Sequence, residues 1–201
     1  MKKGFTLVEM LVVIGIIAVL AAASIGSYSK ITAKADKAKC QELVHNTATA
    51  LTALFQKEGV WPKSLIRQQN GEIGLDGDAA YKLASYMSLT TKDGKLSGHD
   101  RFGVVTPWAA STIKNLGSKA TESDVVPGGG TIADHRLRYA LDLDGDGVIE
   151  SVNVGGQSVD IRATAAVWCC GRDGKIETFT RGQKKDDVYS WTEGQTRNVN
   201  H

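Results

Sequence analysis

Met1-Lys2-Lys3-Gly4-Phe5-Thr6-Leu7-Val8-Glu9-Met10 runs directly into Leu11-Val12-Val13-Ile14-Gly15-Ile16-Ile17-Ala18-Val19-Leu20-Ala21-Ala22-Ala23. Apart from Glu9, no charged residue lies between Lys3 and Lys30. About 20 consecutive apolar residues suffice for a helix to cross a bilayer. A charge inside such a span costs about 2.5–3.5 kcal/mol on insertion scales, so it marks a functional residue. An ordinary signal peptide would supply the basic start, the apolar run and the small-residue site Ala21-Ala22-Ala23 before Ser24. A plain single-span anchor would supply the same hydropathy. Neither accounts for Glu9. Lys2 and Lys3 set a cytoplasmic amino terminus by the positive-inside rule, which puts everything after the span outside the cytoplasm.

The apolar run does not end in a loop. From Ser27 to Glu58 there is no proline and no glycine, and helix formers dominate. Cys40, Leu43, Val44, Thr47, Ala48, Leu51, Leu54 and Phe55 recur at spacings of three and four, which predicts one apolar stripe on a helix. Lys34, Asp36, Lys37, Lys39, Gln41 and Glu42 occupy much of the opposite surface. Gly59 stands at the C-terminal cap position and Pro62 follows. One helix of about 80 Å is therefore expected from Phe5 to Glu58, at 1.5 Å per residue. Gly15 and Gly26 are its weak points.

Beyond Trp61-Pro62 the chain supplies a head of about 140 residues, enough for one core. Asp78 to Leu89 reads as a short helix with Asp78 as N-cap. Phe102 to Val105 suggests a short strand, and Thr121 to Thr131, with Pro127-Gly128-Gly129-Gly130, a flexible surface loop. Arg136 to Leu143 and Val148 to Val154 alternate with period two. Ile161 to Cys170 and Lys175 to Thr180 read as further strands around the turn Gly171-Arg172-Asp173-Gly174. The expected fold class is α+β: a long amino-terminal helix packed on a small antiparallel sheet.

Lys3-Gly4-Phe5-Thr6-Leu7-Val8-Glu9 resembles the class III leader and cleavage junction of type IV pilins and of the pseudopilins of type II secretion systems. The resemblance implies cleavage after Gly4 by prepilin peptidase, methylation of the new amino terminus at Phe5, and a role for Glu9 in subunit docking. It divides the chain into a leader (1–4), a transmembrane and assembly half of the helix (5–27), an amphipathic half (28–59) and a globular head (60–201). In hydrocarbon Glu9 needs a cationic partner, and the Phe5 amino group of a neighbouring subunit would serve. Trp61-Pro62, Pro107-Trp108, Gly171-Arg172-Asp173-Gly174 and Asp186-Asp187-Val188 resemble the major pseudopilin, whose corresponding pieces include a Pro-Trp-Gly turn, a Gly-Pro-Asp-Gly turn and a terminal Asp-Asp-Ile. Ala109 replaces the turn glycine, Arg172 replaces the proline, and Asn115 to Asp142 reads as an insertion.

Two places are candidates for calcium. Asp142-Leu143-Asp144-Gly145-Asp146-Gly147 has the Asp-x-Asp-x-Asp-Gly start of a calcium loop, but its twelfth position is Asn153 and its flanks read as strands. A hairpin turn rich in Asp and Gly is the alternative. The resemblance supplies the other candidate, Asp173 with Asp186 and Asp187. Hard oxygen donors suit calcium in both. Three cysteines are an odd number for an exported chain. Cys169 and Cys170 are adjacent in a strand and point to opposite faces. A bridge from Cys40 to one of them, a vicinal bridge and buried free thiols all remain open.

The 201 residues are 42% hydrophobic and 23% charged. Loss of Met1 to Gly4 lowers Lys+Arg from 24 to 22, equal to Asp+Glu. The mature chain is then formally neutral and carries no nucleic-acid footprint. No Gly-x-Ser-x-Gly, phosphate-binding Gly-Lys loop or His-Glu-x-x-His is present, so no enzyme is expected. The expectation is a type II secretion pseudopilus subunit, held in inner-membrane lipid with its head in the periplasm before it joins a helical homopolymer. Its implied partners are further copies of itself, prepilin peptidase, minor pseudopilins and an inner-membrane assembly platform. The alternatives are a type IV pilus pilin for motility, adhesion or DNA uptake, and a membrane-anchored calcium-binding module that does not polymerise.

Overall fold

A computed structural model of the chain describes residues 6–66, 75, 79–80, 83, 86, 91–92, 95–96, 102–178 and 186–198, without the side chains of 22–30 and 91–96. The chain divides into two compact units, Met1–Asp36 and Lys37–His201. Helix α1 (Leu7–Glu58) is unbroken by either Gly15 or Gly26 and contributes to both units.

Within the second unit the helix buries the expected stripe. Cys40, Val44, Thr47, Leu51 and Leu54 are buried together with Ala50, while Leu43, Ala48 and Phe55 are half-buried beside them. Thr47 is polar but costs little there, because its hydroxyl donates to the Leu43 carbonyl at 2.7 Å. The helix stops at Gly59, whose φ of +70° lets its N–H reach the Phe55 carbonyl at 2.8 Å. Trp61 then stacks on Phe55 with ring centroids 4.6 Å apart. Short helix α2 (Lys63–Ile66) buries Leu65, whose carbonyl accepts from the Tyr139 hydroxyl at 2.8 Å.

The head contains more than one sheet. Strands β1 (Thr91–Lys92) and β2 (Lys95–Leu96) pair as a two-stranded ribbon. Strands β3 (Arg138–Leu141), β6 (Ala165–Cys169) and β7 (Val188–Tyr189) form one antiparallel sheet in the order β3-β6-β7. Strands β4 (Ile149–Val154), β5 (Gln157–Ile161) and β8 (Thr196–Asn198) form another in the order β4-β5-β8. Every residue of β6 is buried. Ala165, Val167 and Cys169 face the helix stripe, and Ala166 and Trp168 face a second core that includes Ile149, Val152, Val159 and Ile161. An antiparallel strand usually wets one face, so this run marks a sheet covered on both sides.

The α+β expectation holds, with corrections. Residues 157–160, which carry no strand expectation, form β5 together with Ile161, turned back from β4 through Gly155-Gly156, so the strand expected over Ile161 to Cys170 is confined to β6 from Ala165 to Cys169. Lys175 to Thr178 is irregular rather than a strand, and residues 179–180 lie outside the described set. Val105 makes only an isolated bridge to Arg136. Pro107-Trp108 opens helix α3 (Pro107–Leu116) instead of making a turn, since proline at the first helical position gives up no hydrogen bond. Thr121 to Thr131 is no free loop: Val125 bridges Thr131, and Val126 and Ile132 join a third core with Phe102, Val105, Ala109 and Ala120. Ala79, Ala80 and Leu83 are helical and buried, whereas Asp78 lies outside the described residues.

Leu51 has no exposed surface and packs against the first sheet's core. Leu51→Ala should cost about 2–5 kcal/mol through the cavity it leaves. A thermal melt of the folded chain should then shift down by about 5–15 °C.

Candidate functional site

The amino-terminal unit presents an apolar surface with one carboxylate at its head. Leu7 is 80% exposed and Val19 70%, and Leu11, Ile14, Ile16, Ile17 and Leu20 are also exposed. Neighbouring residues of a helix point in different directions, so successive exposed side chains cover the cylinder all round. Such a surface is unstable in water and needs lipid or other helices. Among the described residues no helix is long and apolar enough to cross a membrane. The stretch whose side chains are described ends at Ala21, short of the apolar run in the sequence.

Glu9 caps its own helix. Its carboxylate accepts from the Thr6 N–H at 2.8 Å and from the Thr6 hydroxyl at 2.9 Å, while the Glu9 N–H donates to Thr6 Oγ1 at 3.3 Å. This is a reciprocal capping box, which satisfies donors that helix termini leave free. The Thr6-x-x-Glu9 spacing is its sequence signature and was readable from the start. Negative charge near a helix amino terminus is also favoured by the macrodipole. Glu9 is thus held in one place in the single chain. Gly4 and Phe5 lie outside the described residues.

Of the acidic groups, one trio converges. Single carboxylate oxygens of Asp142, Asp144 and Asp146 all lie within 4.8 Å of one another. Asp142 is buried and fixed, accepting from the Gly145 and Gly147 amides at 2.8 and 2.9 Å, while its carbonyl takes the Trp61 indole N–H at 2.6 Å. Asp144 and Asp146 are exposed, and Asp146 accepts from the Val148 amide at 2.7 Å. Asn153 does not close the loop: it lies on β4 and accepts from the Gly156 amide at 2.9 Å. Three hard oxygen donors on one turn fit calcium chemically, as a partial ligand set.

Asp173, Asp186 and Asp187 form no such convergence among the described residues. They brace backbone instead. Asp186 accepts from the Arg172 amide at 2.9 Å, and Asp173 from the Lys175 amide at 3.0 Å. Asp187 accepts from the Gly171 and Glu177 amides, both at 2.9 Å, and from the Tyr189 hydroxyl at 3.1 Å. Burial pushes the Asp187 carboxyl above its ordinary value, against the pull of these donors.

Cys40 and Cys169 form a disulfide between the helix and β6, across 129 residues of sequence. Cys170, on the opposite face, is a free and buried thiol. Burial pushes its thiol up to about 12.

Residues 1–25 match the prokaryotic N-terminal methylation motif family. The chain is 36% identical over 63 residues to the type IV major pilin protein PilE of Neisseria gonorrhoeae, covering 31% of this chain and 38% of that protein. It is 34% identical over 95 residues to a PilE1 of the same organism, covering 47% of this chain and 42% of the relative. A fimbrial protein of Neisseria meningitidis serogroup B is 36% identical over 94 residues, covering 47% of this chain and 52% of its own length. The chain therefore spans about half or less of the curated relatives it matches. No solved structure matches it. With the methylation motif leading one long helix into an antiparallel head, the chain is similar to type IV pilins.

Peptide mapping of unreduced protein should recover one linkage, between the peptides that carry Cys40 and Cys169. At neutral pH, alkylation of the single free thiol should require unfolding.

Proposed function

We propose that this chain is the structural subunit of a filament, assembled through α1. The observation that carries the reading is the exposed apolar surface from Leu7 to Leu20, headed by the fixed carboxylate of Glu9. In this reading prepilin peptidase cuts after Gly4 and Phe5 becomes the methylated amino terminus. Before assembly the apolar half-helix rests in the inner membrane with the head outside the cytoplasm. In the polymer, packed neighbouring helices take the place of lipid. Glu9 then pairs with the amino group of an adjacent subunit, because an isolated carboxylate among packed apolar helices is costly. The head forms the filament exterior and needs no catalytic machinery.

The relatives are named as type IV pilins and fimbrial proteins, which supports a type IV pilus ahead of a secretion pseudopilus. The corrected geometry of Pro107-Trp108 points the same way, since a helix start there weakens the likeness to the pseudopilin turn. Self-association, the peptidase and the assembly platform are the partners of this proposal. Glu9→Lys should leave the subunit membrane-associated and remove filaments from sheared fractions, read by immunoblot. Wild-type filament yield from that variant would overturn the role of Glu9.

We propose further that the Asp142 turn takes calcium, supplied by Asp142, Asp144 and Asp146 with backbone or solvent oxygens completing the shell. The ion would offset the mutual repulsion of three clustered carboxylates. Calcium should therefore raise the melting temperature relative to chelator, and Asp144→Ala with Asp146→Ala should remove the difference. Identical melts in calcium and chelator would leave the turn as an Asp/Gly hairpin connection alone.

A further inference from the structure

His135 and Cys170 meet in a buried junction that the filament reading does not use. The His135 ring has no exposed surface. Its Nε2 lies 3.0 Å from the Gly129 carbonyl oxygen, which can only accept, so Nε2 carries the proton. Nδ1 is then the acceptor, 2.8 Å from Thr106 Oγ1 and 3.4 Å from Cys170 Sγ. One neutral ring thus ties together the N-cap of α3, the Gly128–Gly130 turn and the end of β6. The contact is close along the backbone too. A Cβ at Gly129 would overlap the Asp173 carbonyl, and one at Gly130 would overlap Gly174.

What the ring fastens is a body with its own interior. Phe102, Val105, Ala109, Ala120, Val126 and Ile132 form a third cluster, which adjoins the first sheet core through Val104 and Trp108. The charged groups facing the junction are few. Asp134 lies beside the ring in sequence, and Asp173 lies in the turn after β6. Arg138 of β3 and Asp187 before β7 act on the Cys170 side. Neither nearby carboxylate is aimed at the ring: Asp134 accepts from the Thr131 amide and hydroxyl, and Asp173 from the Lys175 amide.

We propose that His135 is an acid-released latch: its neutral ring holds the turn from Gly128 to His135 against the end of β6 and covers the Cys170 thiol, and protonation frees both. A second proton would place a full charge on a ring without solvent contact, which is costly unless the junction opens. Burial holds the His135 imidazole below its ordinary value, although the Gly129 carbonyl, Asp134 and Asp173 pull upward. The sign follows from linkage. The latch contributes its full stability above the ordinary histidine value of about 6.5 and loses it as pH falls toward the depressed folded value. Burial pushes the Asp134 carboxyl up, but its Thr131 hydrogen bonds and the charge of Arg138, joined by His135 once that ring is protonated, outweigh that and hold it below the usual value. The Cys170 thiol stays protonated throughout. Neither group competes in mild acid.

The test labels the oxidised full chain with 4,4′-dithiodipyridine, an aromatic disulfide that reacts with thiols in acid. Rates are divided by those of the urea-unfolded chain at the same pH. Relative Cys170 labelling should rise about tenfold per unit as pH falls from about 6.5, while His135→Gln, which keeps a donor for the Gly129 carbonyl, should be flat. A flat wild-type profile, or an unchanged slope in His135→Gln, would overturn the latch. If that variant does not fold, NMR titration of the wild-type ring decides: titration at or above about 6.5 would equally overturn it.

Discussion

The packing of the α1 stripe onto one face of β6 is the contact from which the head is built. Cys40, Val44, Leu51 and Leu54 share one core with Ala165, Val167 and Cys169, and the disulfide fixes the first residue of that stripe to the last residue of the strand. Because side chains alternate along a strand, the same five residues send Ala166 and Trp168 to the other side, where the second sheet closes over them. One strand therefore joins both sheet cores. Weakening it from the helix side loosens the first core directly, and the second through the shared backbone.

That constraint also positions the acidic turns. Trp61 lies just past the helix cap, and its indole holds the Asp142 carbonyl, so the acidic turn hangs from the end of α1. The residues after β6 turn at Gly171, where Asp186 and Asp187 take backbone amides and bring the chain back as β7. The segment from Phe102 to His135 meets this frame at Cys170 and also at Val104, which joins the first core. The apolar surface from Leu7 to Leu20 belongs to the same continuous helix.

Much of this was legible in the sequence, for physical reasons that differ by element. The helix stripe and its stop at Gly59 were readable because period and cap chemistry are local. Strands β3, β4 and β6 showed in alternation or in a buried run. Strand β5 was missed, although the Gly155-Gly156 pair between β4 and β5 is a hairpin signal. Helix α3 was missed because resemblance to a turn outweighed the proline at its first position. The acidic trio was legible from spacing, whereas the braces at Asp173, Asp186 and Asp187 depend on tertiary approach. Which cysteine pairs with Cys40 was not readable, since that requires knowing which face of β6 meets the helix. The junction around His135 gathers residues from three distant segments, and no local pattern announces it.

The central claim is that the apolar half of α1 stays in the mature protein as a working surface. Intact-mass and amino-terminal peptide analysis of protein isolated from its native membranes or filaments tests this most directly. A mature chain that begins at N-methylated Phe5 is the predicted result. A chain that begins at Ser24, with the apolar run removed, would contradict it.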